Sequence, residues 1–303
     1  MALHTFSAAG LRWLDLRRDE TDGEKRIEAE LGFRPHDRHL SDLRNVAHPP
    51  YFDGTDEYDL LVMRVLDSVT PPEEPQTRAI AFLITNDALV TVRAPEDDTF
   101  DPVLAQCARG EASPESIGEL VYLLLDSIAE RLLDLRDPLT EKLNVWQERL
   151  LDPMDPFNDW QVLMRVRSRM RWLGGRMAMQ REAVDQWRAN TVLTLSPDVA
   201  IRLNDIDEHI ARVEHHVGVI QGDIDSLVQV HFAASSQKTN QIMQLLAVLS
   251  AVFLPLNLMA GIFGMNFVDM PLLHLAWGGT VTILLMISVA GGLLWWFRKR
   301  RWF

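Results

Sequence analysis

Residues 245–263 read LLAVLSAVFLPLNLMAGIF, from Leu245 to Phe263, and their apolar character is almost unbroken. They lie inside a stretch of 30 residues between Lys238 and Asp269 that carries no Asp, Glu, Lys or Arg. A helix crosses the hydrocarbon core of a bilayer with about 20 apolar residues, so this stretch is long enough to span. A second uncharged run, from Met270 to Phe297 with its apolar core from Leu275, follows directly. Two such runs back to back predict a transmembrane helical hairpin rather than the buried hairpin of a soluble fold.

The flanks predict the orientation. The chain ends Trp295-Trp296-Phe297-Arg298-Lys299-Arg300-Arg301-Trp302-Phe303. A basic cluster of this kind stays cytoplasmic, with the tryptophans at headgroup level. Two spans then place the first 240 residues on the cytoplasmic side as well, with a bacterial-type inner membrane as the expected location. Met1 to Leu16 does not read as a signal peptide, because Arg12 and Asp15 interrupt it and it has no apolar run of useful length.

Charge is divided unevenly along the 303 residues. Net charge is −13, yet beyond residue 240 the only acid is Asp269 and the only bases are Arg298 to Arg301. The acidic remainder repels nucleic acid and attracts cations, or serves solubility alone. The single cysteine, Cys107, excludes an intrachain disulfide and a thiolate metal cluster. The sequence carries no P-loop, nucleophile elbow or metallohydrolase spacing, so an enzyme is not expected.

Upstream of the spans the pattern predicts an α+β region. Leu11–Leu16, Leu60–Leu66, Arg78–Ile84 and Ala88–Val92 favour strands, and Thr85-Asn86-Asp87 joins the last two as a hairpin. From Ser116, apolar residues recur at three- and four-residue steps through Leu139, with Pro138 as a kink. A second helix is expected over about 158–190. Ser196-Pro197-Asp198 then opens a third, which meets no proline until Pro255 and so continues from the cytoplasm into the membrane, more than ~80 Å at 1.5 Å per residue. The expected organisation is an α/β domain over 1–112, a helical stalk over 113–240 and a transmembrane hairpin over 241–303.

Asn257 interrupts the first span. A polar amide there faces either water or protein. Two helices cannot enclose a water-filled path, so a pore-lining Asn257 implies a ring of chains, whereas the alternative is an interhelical hydrogen bond.

The segment from Lys238 through Pro255 to Ala260-Gly261-Ile262-Phe263-Gly264-Met265-Asn266-Phe267 resembles the CorA family of two-transmembrane metal-ion transporters. Gly264-Met265-Asn266 matches the family's Gly-Met-Asn signature at the end of the first span, and Met270-Pro271 follows at the family's distance. Leu203 to His209 resembles its acid-rich segment, and Ile84 to Pro102 its hairpin followed by Phe-Asp-Pro. The resemblance implies a homopentameric funnel whose first span lines a pore for divalent cations (Mg²⁺, Zn²⁺, Co²⁺ or Ni²⁺), which act as both substrate and regulator. Asn266 would form the outer selectivity ring beside Gly264 and Met265. An amide ring suits Mg²⁺, which gives up water reluctantly. Met243 and Leu246 would form an apolar gate that closes by dewetting, with Asn240 at the cytoplasmic mouth. Without the resemblance, the same two side chains read as ordinary packing.

Asp205 matches the family's regulatory carboxylate on the long helix, and Asp67 stands near the end of the strand expected to supply its partner. Asp205 and His209, four apart on one face, with His216 further along, also suit a transition metal or simply a solvated acidic face. The chain departs from the family in carrying Asn257 for the common pore threonine, Phe263 for a frequent tyrosine, and Val268 and Leu272 at glutamate positions of the outer loop. An acid-poor loop is a feature shared with the zinc-transporting ZntB branch. Three functions follow: a Mg²⁺ (or Co²⁺, Ni²⁺) channel, a Zn²⁺ transporter with or without proton coupling, or a non-conducting metal sensor.

Overall fold

The computed structural model describes residues 2–6, 10–67, 70–71, 73–151, 160–265 and 277–300. Contacts divide the chain into two compact units, Met1–Val228 and Gln229–Phe303.

The first unit is built on a six-stranded mixed sheet. Its strands are β1 (Ala2–Phe6), β2 (Leu11–Arg17), β3 (Tyr51–Gly54), β4 (Asp59–Leu66), β5 (Thr77–Ile84) and β6 (Ala88–Arg93), in the spatial order β1-β2-β6-β5-β4-β3. Among the described strands only β2 and β6 run parallel; Leu14 lies opposite Val90 and Asp15 opposite Thr91. The Thr85–Ala88 turn closes the β5–β6 hairpin, with Thr85 N–H donating to the Ala88 carbonyl at 2.9 Å. Strands β4, β5 and β6 are apolar on both faces because helices cover both. On one face Leu14, Leu16, Leu60, Val62, Leu83 and Val90 pack with Ile27 of α1 (Gly23–Leu31) and with Leu40 and Leu43 of α2 (Asp37–Arg44). On the other, Trp13, Leu61, Met63, Ile80 and Phe82 join a larger core that takes in the longer helices.

Those helices are α3 (Asp101–Arg109), α4 (Ile117–Leu133), α5 (Arg136–Leu151), α6 (Trp160–Asn190) and the first part of α7 (Pro197–Phe263). Ser116 caps α4 by accepting from the Glu119 N–H at 3.1 Å, and the Glu119 carboxylate reaches back to the Glu115 N–H at 3.0 Å. The run expected to continue to Leu139 with a kink at Pro138 is two helices, parted at Asp134 and Leu135. In an unbroken helix the Pro138 ring would meet the carbonyl four residues earlier, that of Asp134. The chain stops there and restarts with Pro138 in the first turn of α5, where no N–H is needed. Ser196 caps α7 as its position suggests, accepting from the Val199 N–H at 3.2 Å.

Two buried polar contacts fix the sheet. At the parallel seam Arg93 forks onto Asp15, with Nη2 at 2.7 Å and Nε at 3.0 Å. Thr91 donates to the same carboxylate at 2.8 Å, and Trp13 Nε1 donates to Thr91. At the other side, β3 pairs with β4 only as far as Tyr51 opposite Val62. Beyond that point Gln180 of α6 takes the place of a strand, its Oε1 accepting from the Arg64 N–H at 2.7 Å. Gln180 is fully buried.

The second unit holds the end of α7 and α8 (Gly278–Lys299). Among its described residues the buried side chains are Val248, Val252 and Phe297. Leu254 is 76% exposed and Ile287 62%. Exposure on this scale inverts the rule for a soluble helix and fits a segment that meets lipid or other copies.

Candidate ion path and acidic helix face

Pro255 lies inside α7 and removes the hydrogen bond that the Ala251 carbonyl would receive, the usual tolerance of a membrane helix. Met243, Leu246, Ser250, Phe253 and Asn257 recur at steps of three and four and so share one stripe of the helix. All five are exposed, Met243 at 63% and Leu246 at 57%. Asn240, also exposed, lies one turn before Met243. Val248 and Val252 occupy the opposite side and are buried. Most of the helix around it is exposed too, Leu249, Leu254 and Leu258 among others, so what sets the stripe apart is its two polar groups, Ser250 and Asn257, within an apolar helix.

The helix ends where the sequence places the signature. Gly264 N–H donates to the Ala260 carbonyl at 2.9 Å. A Cβ at Gly264 would stand 3.0 Å from that same oxygen, closer than a side chain sits comfortably. Glycine thus lets the chain leave the helix here. Met265 follows, half exposed, while Asn266 and the loop residues Val268, Asp269 and Leu272 lie outside the described residues.

The acidic face of α7 is more specific than its sequence suggests. His209 Nδ1 stands 3.5 Å from Asp126 Oδ1 of α4, and both atoms are buried without a hydrogen-bond partner. Burial, and then the nearby Asp205 carboxylate, push the Asp126 carboxyl above the usual range, while His209 pulls it the other way. Glu130, one turn along α4, is likewise raised by burial and by Asp126. Tyr122 is raised by burial, then by Asp126 and Asp205. Two helices therefore bring Asp126, Asp205 and His209 into one electrostatic neighbourhood. Among the described residues no three His, Cys, Asp or Glu side chains converge closely enough to hold a metal within one chain.

The remaining candidates sit elsewhere. Asp67 lies just past β4 and pairs with Arg78 at 2.7 Å, and Arg78 also holds Glu96 at 2.8 Å. His216 lines the cleft at the α4–α5 break with Arg136, Asp137 and Arg212. Burial pushes its imidazole below the ordinary histidine value. Sequence reasoning missed Asp126, one of three acids, with Glu119 and Glu130, in the apolar repeat of α4.

The family model described as CorA-like Mg²⁺ transporter protein matches residues 8–299. The chain belongs to the CorA-like Mg²⁺ transporter family. CorA-like proteins are membrane transporters of divalent metal ions and not enzymes, and the two apolar helices are this chain's membrane spans. The chain is 23% identical over 284 residues to the cobalt/magnesium transport protein CorA of Thermotoga maritima, covering 93% of this chain and 80% of that one. It is 24% identical over 251 residues to the zinc transport protein ZntB of Klebsiella pneumoniae, covering 80% and 73%. The complete structure of the CorA magnesium transporter from Methanocaldococcus jannaschii superposes with a TM-score of 0.84 at 16% identity, over 97% of this chain and 92% of that one. That likeness establishes the CorA fold: an α/β domain, one long helix and two C-terminal apolar helices.

Proposed function

We propose that several copies of this chain, five on the family's pattern, surround a pore lined by α7 and pass divalent cations across the inner membrane. The observation that carries this reading is the amide of Asn257, exposed on one stripe with Met243, Leu246 and Ser250. An amide in lipid is costly. It is accommodated when copies of α7 face one another across water, and one chain alone offers no such enclosure. In this arrangement Asn240 stands at the cytoplasmic mouth, Met243 and Leu246 form the dry constriction, and Gly264, Met265 and Asn266 form the outer ring. Both termini are cytoplasmic, by the basic end of α8. An inward membrane potential favours entry by about 2.3 kcal/mol per charge per 100 mV, so about twice that for a divalent ion.

Divalent metal also regulates the pore in this reading. The Asp126, Asp205 and His209 neighbourhood carries charge that a cation relieves, and a neighbouring copy completes the ligand set. Asp67 contributes only if it leaves Arg78. Binding of this kind holds one conformation and its loss releases it.

The favoured substrate is hydrated Mg²⁺, with Co²⁺ or Ni²⁺ as companions. Zn²⁺ is the second reading, supported by the match to ZntB and by the acid-poor outer loop. Purified protein in liposomes, offered Mg²⁺, Co²⁺, Ni²⁺ and Zn²⁺ in turn, separates them. Mg²⁺ uptake abolished by Asn266→Ala supports the first reading. Uptake confined to Zn²⁺, particularly with a pH gradient, supports the second. Intact oligomers that pass none of the four leave a metal sensor.

A further inference from the structure

We propose that the last turn of α8 binds the headgroups of anionic phospholipids. Lys299 Nζ stands 5.2 Å from the centroid of the Trp295 ring, and Arg300 Cζ stands 5.5 Å from that of Trp296. Each pair is four residues apart, so each cation folds back over the indole one turn earlier. Arg298 is exposed beside them. The three cations meet the partial negative charge of the helix C-terminus, which favours their placement there.

Their negative partners are missing from their own unit. The described residues from 229 to 300 contain no Asp or Glu. The sole acid of the sequence beyond residue 240, Asp269, precedes α8 at its other end. The neutralising anions therefore come from outside the unit. Trp295 is 64% exposed and Trp296 46%, and such amphipathic rings concentrate at the level of lipid headgroups. A cation resting on an indole face keeps its outward N–H groups for phosphate oxygens, and guanidinium takes them in pairs. The alternative anion is a carboxylate from the acidic part of another copy. The flanking tryptophans favour lipid, because they place the turn at the interface. A cation at an anionic leaflet changes binding by about fivefold.

The test counts lipids rather than ions, so its failure leaves the transport reading untouched. Full-length protein is placed in nanodiscs of phosphatidylcholine with a minor fraction of phosphatidylglycerol, and the lipids it retains on release are counted by native mass spectrometry. Phosphatidylglycerol should be retained several-fold above its share of the bilayer, less so in high salt. The triple change Arg298→Gln, Lys299→Gln, Arg300→Gln should bring retention down to that share. Arg298→Lys with Arg300→Lys should preserve most of it. The salt series on the unaltered protein needs no variant to fold. Retention at the bulk share in the unaltered protein, indifference to the triple change, or displacement by inorganic phosphate would each overturn the proposal. The first two outcomes leave a carboxylate of another copy as the partner.

Discussion

Asp126 of α4 and His209 of α7 stand 3.5 Å apart across 83 residues of sequence, with the Asp205 carboxylate one helical turn from the histidine. Burial and Asp205 raise the Asp126 carboxyl. As pH rises, the unfolded chain therefore loses its proton first. Between the unfolded and folded values the folded state binds more protons, so stability falls with rising pH and stays reduced above that window. At neutral pH without divalent metal, Asp126→Asn should raise the unfolding midpoint by about 2 °C. Millimolar Mg²⁺ or Zn²⁺ should raise the midpoint of the unaltered protein, and the substitution should remove that effect. Thermal scans with and without metal read both effects. A variant that is destabilised without metal and still responds fully to it contradicts the account.

Arg93 and Asp15 form a bidentate pair inside the seam between β2 and β6. Stranding a buried charge costs about 3–5 kcal/mol, and Asp101 at 3.5 Å and Asp97 at 3.8 Å offset only part of the loss of Asp15. Asp15→Ala should lower the midpoint by on the order of 10 °C in full-length protein held in detergent. A shift of only a degree or two would mean that Asp97 and Asp101, or solvent, neutralise Arg93 without Asp15.

Gln180 satisfies the Arg64 N–H with one end, while its Nε2 has no hydrogen-bond partner. Gln180→Leu orphans the Arg64 N–H but relieves the unpartnered amide nitrogen, so the net loss should be about 1 kcal/mol. Hydrogen exchange at Arg64 should accelerate in the variant. Unchanged protection there would show that β4 does not depend on α6 at this edge.

Much of the architecture was legible because it is written in periodicity. Strands β4, β5 and β6 are largely apolar runs that need helices on both faces, and β2 shows itself by the alternation of Leu11, Trp13, Leu14 and Leu16 with charged residues. Ser196 announces a helix start through capping chemistry, the apolar repeat after Ser116 announces another, and the spans announce themselves by length. Strand β3 was not legible, since Tyr51-Phe52-Asp53-Gly54 is short and ends in two turn-forming residues. The α4–α5 break was misplaced because a proline acts on the carbonyl four residues before it, not at its own position. Asp126 was hidden for another reason. Nothing in its own segment marks it, and its role arises only when α4 packs against α7. The signature Gly264-Met265-Asn266 showed the opposite behaviour, with a local motif at a span's end pointing to the family at once.

In the proposed pore, the stripe opposite Val248 and Val252 faces a shared water-filled path. The chain has one cysteine, Cys107, so a Cys107→Ser background allows a single reporter thiol. Met243→Cys, Asn257→Cys and, as an α8 control, Ile287→Cys would be reconstituted in liposomes. Flux of the transported ion would then be measured before and after a hydrophilic thiol reagent is applied from both sides. The account predicts block at positions 243 and 257 and none at 287. Block at 287 alone, or unimpeded flux through fully modified Met243→Cys and Asn257→Cys proteins, would contradict it.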